Sequence, residues 1–374
     1  MSAHANPDIV TDGLAFIYDT GSGKSYKGEP TVNLLNYTTE FNNWTAAKNS
    51  GTTPTVTADT SVNPLGLAGA PMADKVYLPD DGTYPRIQQY FTPSSTNTHT
   101  FSVWIRSLSG NCDCFLGAFR NSPWSLPGSS VKSITGEWQR FTFSWTPPDT
   151  TTHVIYMGSH DTAAQKGNTL EFWGAQMEAK SHATQFVNGT RSTTQGLLDL
   201  TNNTTINLSN VSFDSNAQMV FDGTDDYTSL GNPTALRDLT SGTIETVYYR
   251  DASSGTYQMV FTDAGSDLEI TYSSNTLQFY IGNSGLSYTH AVIDQWFNVV
   301  GTWGSGFKKL YINGAEVASG TNTGTDTGNR DRYVGGRGAN FPFNGEIPIA
   351  KIYNKALTAS EVLQNYNATK GRFQ

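Results

Sequence analysis

The sequence predicts an all-β protein built from antiparallel β-sandwiches, with one short α-helix near the C-terminus. Charged residues make up only 15% of the 374 residues, and 36 are glycine, a composition that suits many short strands joined by turns. Apolar and polar residues alternate in many short segments, which is the pattern of a strand with one buried face. The segments recur about every ten residues with turn residues between them, a spacing typical of sandwiches and barrels.

The first half of the chain carries one set of predicted strands. They span residues 99–106, 138–145, 154–157 and 170–174. Segments rich in proline, glycine and serine separate them, and residues 120–130 are predicted to be such a loop. Four tryptophans that fall within the strand patterns are predicted to lie in the core: Trp104, Trp138, Trp145 and Trp173.

The second half carries a longer and clearer set. The predicted strands span residues 243–250, 257–261, 268–272, 277–281, 296–303 and 309–312. Asn313-Gly314 closes the last of these and predicts a hairpin, because both residues accept positive φ. A late strand spans 346–353. Because proline cannot donate to a neighbouring strand, Pro348 predicts that this strand lies at an edge or begins after the proline.

One helix is predicted, and its start is well marked. Thr358-Ala-Ser-Glu361 is a capping box, followed by Val362, Leu363 and Tyr366 on one helical face. We expect this short helix to cover one end of a sandwich.

Charge and hydropathy exclude two classes of function. The formal net charge is -9 and the pI is about 5.1, so the basic surface that nucleic-acid binding requires is missing. No apolar run reaches the roughly 20 residues that span a bilayer, so membrane insertion is not expected. Residues 1–12 show no basic and apolar signal pattern, and we therefore expect synthesis in a cytoplasm without secretion.

The two cysteines, Cys112 and Cys114, are expected to be free thiols. A disulfide between residues so close in sequence is strained, and a zinc site would need further ligands.

The last 150 or so residues resemble the laminin-G/concanavalin-A-like domains that are common in bacteriophage structural proteins. The segments that carry the resemblance are 219–227, 309–314, 343–347, 351–362 and 365–372. The final stretch is similar to the ends of marine phage virion proteins. One departure is Pro348-Ile349, where the family more often has an acidic pair, and this weakens a ligand role for that strand.

The N-terminus is similar to the first strand of the same family, over residues 7–21 and 24–26. In the uninterrupted family the next segment resembles residues 198–203, which here lie about 160 residues further on. The intervening chain resembles carbohydrate-binding-module jelly rolls, opening at Asn33 and closing with 172–178 and 183–186. We therefore expect a discontinuous laminin-G/concanavalin-like sandwich (residues 1–32 and 187–374) that carries an inserted carbohydrate-binding-module-like sandwich (residues 33–186).

The sequence carries no recognisable catalytic constellation, and we predict that the protein is not an enzyme. Retaining glycoside hydrolysis would need two carboxylates about 5–5.5 Å apart, and no predicted strand has the alternating acids of concanavalin-like glycosidases. The closest segment, Asp267-Leu-Glu-Ile, has only two acids.

Binding of a glycan is the better prospect, because sugar rings stack their C–H faces on aromatic side chains. Six of the eight tryptophans fall in the inserted segment. Trp124 lies in a predicted loop and is the leading candidate for an exposed platform. Tyr84 and Trp44 are further glycan-binding candidates, and core packing is the alternative for all three.

Asp222, Asp225 and Asp226 form the one acidic cluster that suits a metal ion. Calcium takes six to eight oxygen ligands, and laminin-G-like domains often hold one, so the resemblance implies calcium as the single candidate cofactor. The alternative is a solvated turn that the aspartate side chains stabilise.

The resemblance implies a bacteriophage virion surface protein, made in the host cytoplasm, that decorates the capsid or joins the tail or fibre. It would assemble as a homo-oligomer with other virion proteins and display a glycan-binding module for adhesion to the host surface. A structural cement protein that binds no sugar is the main alternative. A host-glycan depolymerase and a secreted bacterial adhesin have less support, since catalytic and signal patterns are missing.

Overall fold

A computed structural model of the chain describes residues 8–66, 70–214, 216–251, 257–282, 284–326 and 329–373. Within these ranges the regular structure is almost entirely antiparallel β-strand, and the single α-helix is short and C-terminal. The predicted all-β fold class is confirmed. None of the helices in these ranges is long and apolar enough to cross a membrane.

The chain forms two compact units. Unit 1 consists of Met1–Pro30 and Ser192–Gln374, and unit 2 is Thr31–Arg191. The sequence placed the boundaries at 32/33 and 186/187. Unit 2 starts and finishes on a short antiparallel pair, in which Thr31–Val32 bonds to Thr190–Arg191. The two ends of unit 2 are therefore neighbours, as insertion into another unit requires.

The strands of the first half follow in chain order. They are β1 (Leu14–Asp19) in unit 1, then in unit 2 β2 (Thr31–Val32), β3 (Thr45–Ala47), β4 (Thr55–Ser61), β5 (Ala73–Leu78), β6 (Arg86–Phe91), β7 (His99–Ser107), β8 (Cys112–Arg120), β9 (Ser125–Ile134), β10 (Gln139–Trp145), β11 (His153–Gly158), β12 (Asn168–Glu178) and β13 (Thr190–Arg191). Short 3₁₀ turns span Phe41–Asn43 and Ala163–Gln165.

Unit 2 is a sandwich of two five-stranded antiparallel sheets. Their strand orders are β10-β7-β12-β5-β4 and β3-β6-β11-β8-β9. The core between the sheets holds Trp145 at 4% exposure, as predicted. Trp173 is also buried, at 2% exposure, but its ring packs against Trp104 and Phe186 and does not join that core. Trp104 and Trp138 are only half-buried, and the guanidinium groups of Arg140 and Arg106 lie over their rings at 4.4 and 4.9 Å.

Two local predictions for unit 2 have different outcomes. Cys112 and Cys114 are free thiols, as expected, and burial raises the pKa of Cys114. The predicted loop 120–130 is wrong over its second half, because β9 begins at Ser125 and pairs with β8. Pro127 is tolerated there because β9 is an edge strand of its sheet.

The remaining strands all belong to unit 1. They are β14 (Asn207–Ser209), β15 (Ser212–Phe213), β16 (Met219–Asp222), β17 (Tyr227–Gly231), β18 (Gly242–Arg250), β19 (Tyr257–Asp263), β20 (Leu268–Ser273), β21 (Thr276–Ile281), β22 (Ser284–Thr289), β23 (Trp296–Gly304), β24 (Phe307–Ile312), β25 (Ala315–Gly320), β26 (Arg332–Val334) and β27 (Asn344–Tyr353), followed by helix α1 (Ala359–Thr369). Further 3₁₀ turns span Thr234–Leu236 and Lys370–Arg372.

Unit 1 is also a sandwich. One sheet has the order β15-β16-β27-β18-β23-β24-β25 with β1 on β27, and the other has the order β14-β17-β26-β19-β20-β21-β22. Aromatic and aliphatic side chains from both sheets, such as Phe16, Tyr248, Phe279 and Trp303, form one buried core. Burial of a side chain of this size stabilises the fold by roughly 1.5–3 kcal/mol.

The segment after unit 2 returns directly to β1. The backbone N–H of Leu200 donates to the carbonyl of Ile17 at 2.9 Å, and the N–H of Ile17 donates to the Asp199 carboxylate at 3.1 Å. The same carboxylate accepts from the N–H groups of Thr201 and Asn203 at 3.0 and 2.9 Å. Asp199 therefore shapes the turn and anchors it to a strand more than 180 residues earlier.

The prediction that the strand containing Pro348 lies at an edge or begins after the proline is wrong. β27 is a central strand, bonded to β18 on one side and to β16 and β1 on the other. The pairing with β18 shifts register between Val247 and Tyr249, opposite the proline. β16 pairs up to Glu346 and β1 pairs from Ile349 onward, so the missing N–H of Pro348 falls at the junction between them. Proline is accommodated because no ladder bond is required at that point.

The predicted helix is confirmed together with its cap. The Thr358 hydroxyl accepts from the N–H of Glu361, and the Glu361 side chain accepts from the N–H of Thr358 at 2.8 Å. Val362 and Asn365 form part of the buried face of α1.

A buried polar network holds α1 against the sheet. The Glu245 carboxylate on β18 accepts from Lys351 Nζ at 2.8 Å, Asn298 Nδ2 at 2.9 Å and Asn365 Nδ2 at 2.6 Å. Asn365 Oδ1 in turn accepts from the backbone N–H of Val10 at 2.7 Å. The Glu245 and Lys351 side chains are at most 1% exposed. Three strands, the helix and the N-terminal segment therefore meet at one buried ion pair.

We expect Lys351→Met to destabilise the protein by about 3–5 kcal/mol, because it leaves the Glu245 carboxylate buried without its charge partner. The double variant Glu245→Gln/Lys351→Met should recover part of the loss, since the charge is removed while one amide oxygen remains for either Asn298 or Asn365, which bond to different oxygens of Glu245. Denaturant unfolding of the full chain measures both free energies.

Lys309→Met is the matched control, because Lys309 forms an exposed pair with Glu316 at 2.8 Å. Its cost should stay below about 1 kcal/mol. Equal costs for the two lysine substitutions would contradict a structural role for the buried pair.

Candidate functional site

The outer face of one sheet in unit 2 is aromatic. On β8, Leu116 and Ala118 point into the core, so Phe115 and Phe119 point to the opposite face. On β11, Tyr156 shares that outer face and forms a separate buried cluster with the two phenylalanines. The sheet therefore carries apolar groups on both sides.

Two of these rings, together with Trp124, form a stacked row that ends in solvent. Trp124 stacks on Phe119 with ring centroids 4.9 Å apart and planes 21° apart, and Phe119 stacks on Tyr156 at 5.1 Å and 21°. Phe119 and Tyr156 are only 4% and 3% exposed, whereas Trp124 is 57% exposed. The buried rings thus support the exposed indole.

Gly117 lies between the phenylalanines on β8. A Cβ at this position would stand 2.5 Å from the Phe115 ring and 3.0 Å from the Phe119 ring. Glycine is therefore needed for the rings to come together over the strand.

Tyr84 and His160 line the other side of the same cleft. Tyr84 adopts a positive φ of 56° just before β6, and its ring meets the His160 ring edge-on at 5.3 Å. His160 stacks on Phe115 at 4.6 Å and 24°. Two loop residues are thus oriented by ring contacts as well as by their backbone.

One cation lies in the cleft. Arg86, at the start of β6, donates from Nε to Gln88 Oε1 at 2.7 Å, and from Nη1 to Asn49 Oδ1 at 3.2 Å and to the Tyr84 carbonyl at 3.0 Å. Its guanidinium lies 5.1 Å from the centre of the Tyr156 ring.

Together these groups line an open cleft of about 250 Å³. The size suits one or two sugar rings, since pockets for larger organic ligands run from about 300 to 1,000 Å³. The lining residues are Asn49, Tyr84, Arg86, Phe119, Trp124, Tyr156 and His160.

The structure brings together two of the three predicted glycan-binding candidates, Trp124 and Tyr84, in this cleft. The prediction for Trp44 is wrong. Its ring packs on Phe41 at 5.1 Å, its Nε1 donates to the Tyr37 carbonyl at 3.0 Å, and it is only 5% exposed. A buried indole that already has its hydrogen-bond partner offers no face to a sugar.

Sequence reasoning missed Phe119, Tyr156, Arg86, His160 and Asn49. A signal for the first was present, because residues 115 and 119 share one face of a strand while 116 and 118 share the other. Apolar residues on both faces of a strand indicate that the second face has its own contacts. The remaining four residues come from segments far from β8 in the sequence. Only the order of the strands in the sheet brings them into one cleft.

A second cleft, of about 380 Å³, lies in unit 1. Its lining includes Tyr257, Phe341 and Arg337. Arg337 Nη2 forms an ion pair with Glu269 at 2.5 Å, so the charge of this arginine is compensated within the protein.

The acidic cluster lies at the turn between β16 and β17 in unit 1. One carboxylate oxygen of each of Asp222, Asp225 and Asp226 lies within 4.8 Å of the others. Burial, followed by the charges of Asp222 and Asp225, raises the pKa of Asp226 to about 6, although the N–H of Asp222 donates to it at 2.8 Å. Three converging carboxylate oxygens fit part of the ligand set of calcium, which would offset their mutual repulsion.

Comparison with known families gives one match, and no curated protein sequence matches the chain. Residues 222–363 match the family described as the Concanavalin A-like lectin/glucanases superfamily. This segment covers most of the second part of unit 1, and it establishes a concanavalin-like jelly roll there.

Similar solved structures have low sequence identity. They include the ligand-binding domain of botulinum neurotoxin serotype D in complex with N-acetylneuraminic acid (12% identity, 47% of this chain and 49% of that chain, TM-score 0.38). Another is domain 4 of an extracellular arabinanase from Geobacillus stearothermophilus with arabinotriose (18%, 47% and 93%, TM-score 0.35). A third is Trypanosoma rangeli sialidase with the inhibitor DANA (13%, 46% and 30%, TM-score 0.38). The chain spans about half the length of the neurotoxin domain.

We expect calcium to raise the unfolding temperature of the full chain, because a ligand that binds only the folded state stabilises it. The gain is about 2.7 kcal/mol at a hundred times the Kd. Asp225→Asn should remove much of this shift, and Asp8→Asn, which removes one negative charge elsewhere in unit 1, should keep it. Calorimetry with calcium, with magnesium and with a chelator measures the effect. A calcium response that is absent, or equal in both variants, would support the solvated turn instead.

Proposed function

We propose that this protein binds glycans through the cleft of unit 2, without chemical turnover, and displays that cleft on the surface of a bacteriophage particle. The observation that carries the binding proposal is the stacked row that ends at Trp124. An exposed indole backed by two buried rings is a rigid platform, and it loses little conformational entropy when a sugar stacks on it.

Polar groups beside the platform add to this argument. Asn49, Arg86 and His160 line the same cleft and can bond to sugar hydroxyls, which is how a mostly apolar site orients its ligand. The family matched by residues 222–363 includes lectins, so binding of a glycan also agrees with the class of fold in unit 1.

The placement on a virion rests on the resemblance of the C-terminal segments to phage structural proteins. A protein of this kind would form a symmetric oligomer with its virion partners on the capsid or tail. The cleft of unit 2 would then face the host surface, where polysaccharides are the first molecules that a particle meets.

We expect Trp124→Ala to reduce glycan binding about five- to thirtyfold, because stacking on an aromatic ring contributes on the order of 1–2 kcal/mol. Tyr84→Ala should weaken the same interaction. The measurement is a screen of the full chain on bacterial surface polysaccharides, followed by titration of the best ligand.

Tyr77→Ala is the matched control, since Tyr77 is 38% exposed on β5 in the opposite sheet. Loss of binding in all three variants, or in none, would contradict the cleft as the site.

We expect cryo-electron microscopy of purified particles to show this chain projecting from the capsid or tail, with Trp124 facing solvent. Copies whose Trp124 is covered by neighbouring subunits would indicate a cement protein instead. Finding the chain soluble in infected cells but absent from particles would contradict the virion assignment.

A further inference from the structure

Arg86 is held in place but its charge is not compensated. Its Nε and Nη1 bond to Gln88 Oε1, Asn49 Oδ1 and the Tyr84 carbonyl, which are three neutral acceptors. Within the described part of the chain, no carboxylate forms an ion pair with Arg86 and no acceptor bonds to its Nη2. The guanidinium is therefore preorganised, and one of its nitrogens has two N–H donors to offer in the cleft.

One acidic group beside the cleft is already engaged by a cation. Asp161 follows His160 and pairs with Lys166 Nζ at 2.8 Å. Lys166 Nζ also donates to the Gly82 carbonyl at 2.9 Å, which holds this pair at the loop before Tyr84. The pair is neutral as a unit, so the positive charge of Arg86 stays available to a ligand.

The cleft of unit 1 provides a contrast. Its arginine, Arg337, meets Glu269 at 2.5 Å, and an anionic ligand there would have to compete with a protein carboxylate. The cleft of unit 2 has no such competitor among its lining residues, while it has the aromatic platform.

We propose that the cleft of unit 2 selects acidic sugars, meaning sugar residues that carry a carboxylate, such as hexuronates. The ring would stack on Trp124, and the carboxylate would accept from Nη2 of Arg86. A charge-assisted hydrogen bond from a fixed guanidinium is stronger than one between neutral groups. This inference rests on the proposed glycan-binding function and adds the class of sugar.

The test uses an array in which each acidic oligosaccharide stands beside its methyl ester, which has the same shape without the charge. The probes are oligomers of glucuronate, galacturonate and mannuronate, together with a sulfated oligosaccharide. We expect the full chain to bind the best carboxylate about tenfold or more tightly than its ester. The preference should shrink as salt is added, because the interaction is between charges at an open cleft.

Variants then assign the preference to one residue. Arg86→Gln should bring the ratio of acid to ester affinity close to one, and Arg86→Lys should keep part of it. Lys75→Gln is the control, since it removes a positive charge from β5 in the opposite sheet and should leave the ratio unchanged. Unfolding curves of each variant separate a lost ligand contact from a lost fold. The salt dependence of the unaltered protein needs no variant.

The outcomes distinguish the two proposals. Equal binding of acid and ester, a ratio that Arg86→Gln leaves unchanged, or preference for the sulfated probe alone would overturn the selection of carboxylates while glycan binding stands. A chain that retains no probe and no bacterial polysaccharide would overturn both. In that case the bonds of Arg86 serve only to hold the loop that contains Tyr84.

Discussion

The two-residue period of the antiparallel strand determines both what holds unit 2 together and which rings lie on its outer face. Successive side chains must point to opposite faces, so the residues of β8 that fill the core leave Phe115 and Phe119 on the outside. Those rings, with Tyr156 on β11, form a second and smaller apolar layer. Trp124 covers part of that layer and is itself left exposed. The platform proposed for glycan binding is thus a direct extension of the packing that builds the sandwich.

Unit 1 depends on a different kind of interaction. The sheet that contains β18 and the helix α1 meet at Glu245, whose carboxylate accepts from Lys351, Asn298 and Asn365. A charge in such a place is stable only while every partner is present, because desolvation of an unpaired carboxylate is costly. Removing any one partner of this network would therefore leave a buried polar group unsatisfied, a cost that an apolar contact does not carry.

The fold class followed from local pattern alone. Alternation located most long strands to within a few residues, and the capping box located α1, because both signals arise between residues that are close in sequence. The place of Pro348 within a central strand did not follow from local pattern. The sequence shows that proline lacks a donor, but only the pairing of β27 with two successive strands shows that no donor is needed there.

The candidate site was partly visible in the sequence. Trp124 and Tyr84 stood out because they lie in turn-rich segments, where aromatic residues are not needed for a core. The same reasoning failed for Trp44, which a short 3₁₀ turn folds back onto Phe41. By itself the sequence determined which segments alternate, which turns they make and how little charge the surface carries. Only the tertiary structure decided that Arg86 stands beside the rings with no carboxylate partner among the described residues, because compensation of a charge depends on which distant strands become neighbours.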